Sequence, residues 1–233
     1  MKPIVKLDRS YDVARLRADL ERAVAFGDEH ENRGDYHDGG WSAIPLVAVD
    51  GRTDAEGLRW AGWRARYEPT PILDQTPYFR SIVNGFHCPK QRVRLLRLRP
   101  GAVIHEHRDD GDGWAVGKVR LHVPIITHDN VYFFVDGQRV VMRPGELWYC
   151  DFTRPHRVQN AGDIGRVHLV LDLLVDDWLR GLFPRETLVE RVQNSAQRLR
   201  YRARHLRYEI GRRAGPKVRV GRRSERPSRR RAA

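Results

Sequence analysis

The first regular pattern in the chain is helical. Over residues 11–26, Val13, Leu16, Leu20 and Val24 recur three and four positions apart, with acidic residues and arginines between them. That spacing predicts an amphipathic helix. A polar stretch rich in Gly and Asp from Gly27 to Gly40 predicts a loop, Trp41–Val49 a strand, and Gly51–Gly57 a turn.

From Arg92 the pattern changes to short strands separated by turn residues. Arg92–Arg99 is closed by Pro100-Gly101, and Ala102–His107 leads into a loop rich in Asp and Gly that ends at Gly117. Val119, Leu121, Val123 and Ile125 alternate with Arg120 and His122, the period of a strand with one apolar face. Val131–Val135 and Arg139–Met142 flank Asp136-Gly137, a strong hairpin signal. Pro144-Gly145 turns into Glu146–Asp151, and Arg166–Leu174 is the last strand. Many short strands with turns between them predict a mainly β sandwich or barrel with flanking helices, and a jelly roll fits the series.

From Pro184 the chain reads as helix again, with Val192, Ala196, Leu199, Ala203, Leu206 and Ile210 on one stripe. The stripe suits a helix docked on its own domain, or else one that pairs two subunits into a dimer. After Gly211 the composition turns to Arg, Gly, Pro and Ser, which predicts disorder. The expected organisation is a barrel domain over 1–183 with an N-terminal helix-and-strand extension, an amphipathic helix over 184–211, and an Arg-rich tail over 212–233.

Charge changes this picture less than its total suggests. The 233 residues carry a formal net charge of +13. Residues 197–233 hold fifteen Lys and Arg against Glu209 and Glu225, so the excess lies in that segment and residues 1–196 are neutral. The basic character therefore says little about ligands of the barrel. Weak polyanion binding by the tail is one reading of it, and a solubilising extension is the other. The two cysteines, Cys88 and Cys150, are too few for a disulfide scaffold or a structural zinc site. No apolar run approaches a membrane span, and Met1–Lys6 lacks a signal-peptide core, so a reducing cytoplasm is the expected location.

The candidate chemistry starts at Ile104-His105-Glu106-His107-Arg108-Asp109. On an extended strand His107 and Asp109 point to the same side. With His156, which follows Arg154-Pro155 at the end of another predicted strand and turn, they form two imidazoles and one carboxylate. That is the facial set that holds iron(II) and leaves positions open. A His-x-Asp pair by itself is common in solvated loops, and His105 competes with Asp109 as partner of His107 in a cupin-like His-x-His pair. Arg166 opens the strand after His156, where a planar guanidinium could grip the far end of a metal-chelating dicarboxylate. Arg120 and His122 share the polar face of their strand, either aimed into a barrel or facing solvent.

Taken in order, Leu98-Arg99-Pro100-Gly101, His107-Arg108-Asp109, Arg120-Leu121-His122, Pro144-Gly145-Glu146, Asp151, His156-x-x-x-Asn160 and Arg166 resemble the aspartyl/asparaginyl β-hydroxylase family. The resemblance spans roughly residues 90–175, and the N-terminal third matches only loosely at Trp41 and the strand after it. It implies a double-stranded β-helix, the cupin-like jelly-roll barrel, in agreement with the strand reading. It implies Fe(II) on His107, Asp109 and His156, and 2-oxoglutarate contacts at Arg120, His122 and Arg166, the last holding the distal carboxylate. The implied activity is that of a dioxygenase, which uses O2 and 2-oxoglutarate to hydroxylate an unactivated C–H of an amino acid or amino-acid residue, releasing succinate and CO2. Free amino acids, peptides and carrier-bound metabolites stay open as substrates. Asp110–Gly117 could be a lid or a plain surface loop, and Trp114 and Asp35–Trp41 could line the barrel mouth or simply pack. Two other readings are a metal cupin enzyme without 2-oxoglutarate, built on His105, His107 and His156, and a polyanion-binding protein acting through its tail.

Overall fold

The structure is a computed structural model that describes residues 1–32, 34–62 and 65–213, with backbone alone for Arg202 and residues 204–213. Most of the tail expected to be disordered lies outside the described residues.

Two antiparallel sheets face each other. The larger takes β1 (Ile4–Ser10), β10 (Glu146–Cys150), β7 (Lys118–Ile126), β12 (Arg166–Leu174), β5 (Lys90–Leu98), β3 (Trp41–Val49) and β2 (His30–Glu31) in that order, with β4 (Tyr67–Pro69) also paired to β3. The smaller is β6 (Val103–His107), β11 (His156–Asn160), β8 (Val131–Val135) and β9 (Gln138–Arg139). This is the expected jelly-roll barrel.

Alternation sorts the larger sheet into two chemistries. The odd-numbered residues of β5, β7 and β12, among them Val93, Leu95, Leu121, Val123, Leu169 and Leu171, face outward into the main core. That core is roofed by α1 (Val13–Phe26), α2 (Pro71–Asp74) and α3 (Pro77–Asn84) through Leu16, Leu20, Ile72, Phe79 and Ile82. A leucine fully buried there stabilises the fold by about 1.5–3 kcal/mol. The even-numbered residues face the barrel interior, and many of them are polar and buried: Arg92, Arg94, Lys118, Arg120, His122, Arg166, His168 and Asp172. Opposite them the small sheet offers Ile104, Phe133 and Val158, part of a second apolar cluster with Leu98 and Phe152.

The roof is tied down by polar caps. Asp12 Oδ1 accepts from Arg15 N at 3.0 Å and starts α1. Asp19, buried on α1, accepts from Tyr78 N and Phe79 N at 2.7 and 2.9 Å, meeting the free amides at the start of α3. Both α2 and α3 open on proline, whose fixed φ and missing N–H suit the first helical turn.

Two expected elements differ in extent. The hairpin at Asp136-Gly137 is present, with both residues at positive φ (51° and 74°), as a type I′ turn requires. Its second strand shrinks to Gln138–Arg139, because Val140 and Met142 turn inward to join the barrel's apolar cluster. The C-terminal helix, α5 (Leu188–Arg213), begins four residues after Pro184. Thr187 and Glu190 form a capping box there: Thr187 N donates to Glu190 Oε2 at 2.8 Å and Glu190 N to Thr187 Oγ1 at 3.2 Å. Its apolar stripe does not dock as expected, since Val192 and Leu199 are 71% and 68% exposed. The helix instead packs through buried Tyr201 and through Arg198, whose Nε donates to Ala115 O at 3.4 Å. Tyr201 lies so close to Gly111 that a Cβ there would stand 2.8 Å from its hydroxyl. No helix among the described residues is long and apolar enough to cross a membrane.

Candidate metal centre

His107 ends β6 and His156 opens β11, and the antiparallel register pairs them directly. Their ring centroids are 4.1 Å apart. Asp109 lies past the end of β6, not on an extended strand as the spacing suggested. Its backbone N–H donates to Phe152 O at 2.8 Å, and this bond brings the carboxylate back toward the histidines. One ligand atom from each of His107, Asp109 and His156 lies within 4.8 Å of the others. Among the described residues this is the group so arranged. His105 is not part of it: its ring turns outward to Asp38 at 2.8 Å.

The hydrogen bonds of the two imidazoles suit a metal. His107 Nδ1 lies 2.7 Å from His105 O, and His156 Nδ1 lies 3.0 Å from Arg154 O. A carbonyl only accepts, so both Nδ1 atoms carry the proton and both Nε2 atoms keep their lone pairs toward the shared space. Burial pushes the His156 imidazole down to about 4, which keeps it neutral and able to ligate. Tyr36 stacks on the His107 ring at 3.9 Å, and Phe152 meets the His156 ring edge-on at 4.7 Å. The rings are thus held from both sides.

Burial opposes ionisation of Asp109, but the Arg120 guanidinium and the adjacent imidazoles outweigh it and hold the carboxyl below its ordinary range. Arg120 reaches three carboxylates. Nη1 lies 2.8 Å from Asp109 Oδ2, Nε lies 2.7 Å from Asp172 Oδ1, and Nη2 pairs with Asp112. The sequence left open whether Arg120 faces solvent or the interior. It faces the interior, and its partners here come from the protein itself.

Arg166 has different surroundings. It is 2% exposed, and burial alone pushes its guanidinium down to about 9. No carboxylate of the described residues pairs with it. Nη2 lies 3.1 Å from His168 Nδ1, and Nε has no partner. Since a guanidinium only donates, His168 Nδ1 accepts and its proton sits on Nε2, which is also without a partner. His122 completes the group, with Nδ1 3.2 Å from His168 Nδ1; burial and then Arg166 push its imidazole well below the usual range. These unmet donors are costly in a barrel interior unless an acceptor arrives.

A narrow inner pocket of about 40 Å³ is lined by His107, Asp109, His156, Arg120, His122 and Arg166, so the six expected residues meet in one place. Trp41, Leu96, Asp109 and Arg120 also line an outer cavity of about 600 Å³. His168 and Asp172 were missed by the sequence reading. Both were accessible to it, because the inward face of β12 runs Arg166, His168, Val170, Asp172 at strand period. Asn160 has a structural part: its Nδ2 donates to Leu98 O at 3.0 Å and Ile164 O at 2.8 Å.

Fold and site together define a jelly-roll barrel with a two-histidine, one-carboxylate centre beside a buried, unpaired arginine. The chain belongs to the aspartyl/asparaginyl beta-hydroxylase family, whose sequence model matches residues 11–175. The match reaches well beyond the motif-bearing region. Two curated relatives from a Streptomyces species are L-proline cis-3-hydroxylase 2, 27% identical over 172 residues, and L-proline cis-3-hydroxylase 1, 28% identical over the same length. Each alignment covers 71% of this chain and 58% of the relative, so the chain spans little more than half the length of these proteins. A solved oxidoreductase of the 2OG-Fe(II) oxygenase family from Burkholderia pseudomallei shares the fold. It has a TM-score of 0.50 at 14% identity and covers 74% of this chain and 85% of its own.

Proposed function

We propose that this protein is an Fe(II)- and 2-oxoglutarate-dependent hydroxylase acting on an amino acid or an amino-acid residue. The observation that carries the reading is Arg166, a buried guanidinium without a carboxylate in the pocket that the metal-type triad opens into. A dicarboxylate ligating a metal at one end and reaching inward supplies the missing counter-ion. A metal alone would leave Arg166 and its unmet Nε–H unexplained. The Streptomyces relatives are named for hydroxylation of L-proline, which makes free L-proline the first substrate to try.

In this reading His107 Nε2, His156 Nε2 and Asp109 hold the iron. When bound, iron with 2-oxoglutarate and O2 supplies the oxidising power to replace an unactivated C–H by C–OH, with succinate and CO2 as co-products. The protein's own residues bind, orient and exclude water. Arg166 takes the distal carboxylate, with His122 beside it and His168 Nδ1 accepting from its Nη2 to hold it in place. Arg120 anchors Asp109 and lies next to the metal position, where it would meet the metal-binding end of the cosubstrate. Phe133, Phe152 and Val158 supply dry walls. The inner pocket has room for about three waters, so the cosubstrate must part its walls on entry.

The test is succinate release from anaerobically iron-loaded protein given O2, 2-oxoglutarate and a panel of amino acids and peptides. Succinate formed in step with a hydroxylated product supports the reading. Failure of 2-oxoglutarate to bind the iron-loaded protein overturns it.

A further inference from the structure

The inward face of β5 carries Arg92, Arg94, Leu96 and Leu98, and that of β12 carries Asp172, Val170, His168 and Arg166. The antiparallel register sets Leu98 against Arg166 and Arg94 against Val170. The strand pair thus separates two cationic positions by four residues, about 13 Å at strand rise. A cosubstrate whose distal end lies at Arg166 does not extend to Arg94. The second position borders the outer cavity, which is lined by Arg92, Arg94, Lys118 and Arg120 together with Trp41, Leu58 and Leu96.

Charge at this outer end is unevenly shared: Glu31, Asp109, Asp110 and Asp112 line the cavity beside the cations, but the buried guanidiniums of β5 lean on one carboxylate. Asp172 Oδ2 is shared by Arg92 Nη2 at 2.9 Å and Arg94 Nη2 at 3.0 Å, while its Oδ1 takes Arg120. Asp112 is shared by Arg120 and Lys118. In these ion pairs Arg92 and Arg94 share Asp172 with Arg120, while Arg120 also reaches Asp112 and Asp109, and Asp109 is the group a metal would take. Arg94 is the least satisfied: it is 5% exposed, has that single ion pair, and its Nε has no partner. Burial and then repulsion from Arg92 push its guanidinium down to about 9. Trp41 Nε1, on the same wall, is a second buried donor without an acceptor. Beside these donors lies an apolar patch of Leu58 and Leu96, backed by Ala43 and Val170.

We propose that the outer cavity takes its substrate by a free carboxylate held at Arg94 and Arg92, with an aliphatic skeleton lying on Trp41, Leu58 and Leu96. This rests on the hydroxylase reading and narrows it to free amino acids, not residues inside a peptide chain. An internal residue has no α-carboxylate to offer. An aspartyl or glutamyl side chain offers a carboxylate but brings two flanking peptide groups, whose polar atoms the apolar patch leaves unpaired. Neighbouring inward positions on β5 are about 7 Å apart, so the carboxylate anchor is one side-chain layer from the metal-facing residues. That interval suits a short carbon skeleton.

The experiment is anaerobic calorimetric titration of the full chain loaded with Fe(II) and 2-oxoglutarate, which reads binding without turnover. The probes are L-amino acids, each beside its α-carboxamide, and N-acetyl-aspartyl and N-acetyl-glutamyl amides. The expected result is that at least one free amino acid binds and its carboxamide binds at least tenfold more weakly. In Arg94→Gln this acid-to-amide ratio falls to near one. Equal binding of acid and amide, binding of the blocked acidic amides alone, or no amino acid binding overturns the proposal. Should Arg94→Gln fail to fold, the acid-to-amide comparison on the unaltered protein decides. A prior titration with 2-oxoglutarate separates the two ideas, since its failure refutes the hydroxylase reading itself.

Discussion

Arg120 holds one oxygen of Asp109 and leaves the other to the histidines. Its Nη1 lies 2.8 Å from Asp109 Oδ2, while Asp109 Oδ1 lies 3.8 Å from His107 Nε2. The carboxylate is thereby oriented to present a single oxygen to a metal. Arg120→Gln removes that orientation without touching a metal ligand, and iron affinity should fall about 10- to 100-fold. Competition with a chelator of known affinity measures this; unchanged affinity would mean that the loop around Asp109 suffices.

Asp172 is the common counter-ion of three buried guanidiniums. Asp172→Asn removes the counter-ion of Arg92 and Arg94, leaves Arg120 with Asp109 and Asp112, and should destabilise the fold by about 3–5 kcal/mol, read from urea denaturation. Burial raises the Asp172 carboxyl, but Arg120, Arg94 and Arg92 outweigh it and hold the group well below the usual range. A carboxyl depressed in the folded state contributes stability that is full above its unfolded value, near 4, and is lost as pH falls through the folded value. The stability difference between the two proteins should therefore be constant near neutrality and shrink below about pH 4.

Removal of any ligand of the triad should abolish succinate formation. His107→Ala and His156→Ala each remove a neutral nitrogen whose geometry is fixed by a carbonyl, and neither should be rescued by added iron at micromolar concentration. In the unaltered protein, chelation should stop turnover and Fe(II) should restore it. Activity that survives thorough chelation would refute the metal assignment.

Arg166→Ala should weaken 2-oxoglutarate binding by about 2–3 kcal/mol, roughly 30- to 150-fold. Arg166→Lys should recover only part, because an ammonium cannot make the paired contact. His168→Phe keeps the ring and removes the acceptor for Arg166, so it should weaken 2-oxoglutarate binding while leaving iron affinity intact. Unaltered 2-oxoglutarate affinity in Arg166→Ala would place the distal carboxylate elsewhere.

Deleting residues 214–233 should leave turnover unchanged, since the residues lining the inner pocket and the outer cavity all lie before residue 214. The full chain should bind heparin more tightly than the shortened one, with an affinity that falls steeply with salt. Equal binding would leave the basic segment without that role.

The barrel and the triad were legible because turn residues punctuate the strands and because His107, Asp109, His156 and Arg166 fall in a specific order. Arg92 and Arg94 were not, for one physical reason. Charged residues at strand period ordinarily mark a solvent face, and here the interior is the polar side while the helices roof the apolar one. The short helices α2 and α3 carry no clear signal in the sequence, since they are only four and eight residues long and open on Pro71 and Pro77, a residue that interrupts helical patterns elsewhere than in the first turn. The stripe on α5 was a true periodicity with the wrong outcome. Tyr201, off the stripe, makes the buried contact because Gly111 lets its ring approach.

The position of β12 has a consequence for how the protein comes into being. This strand is the last of the barrel in chain order, yet it lies between β7 and β5 and pairs with both along nearly its whole length. Its partners are made long before it, so the larger sheet closes by a late insertion between strands already synthesised. Such distant pairings make folding slow. Until β12 is seated, Arg120 has no Asp172 beside it and Asp109 has no fixed Arg120. A chain whose β12 is not yet seated therefore has its two histidines without the rigid carboxylate, and metal affinity at the triad should rise as folding completes.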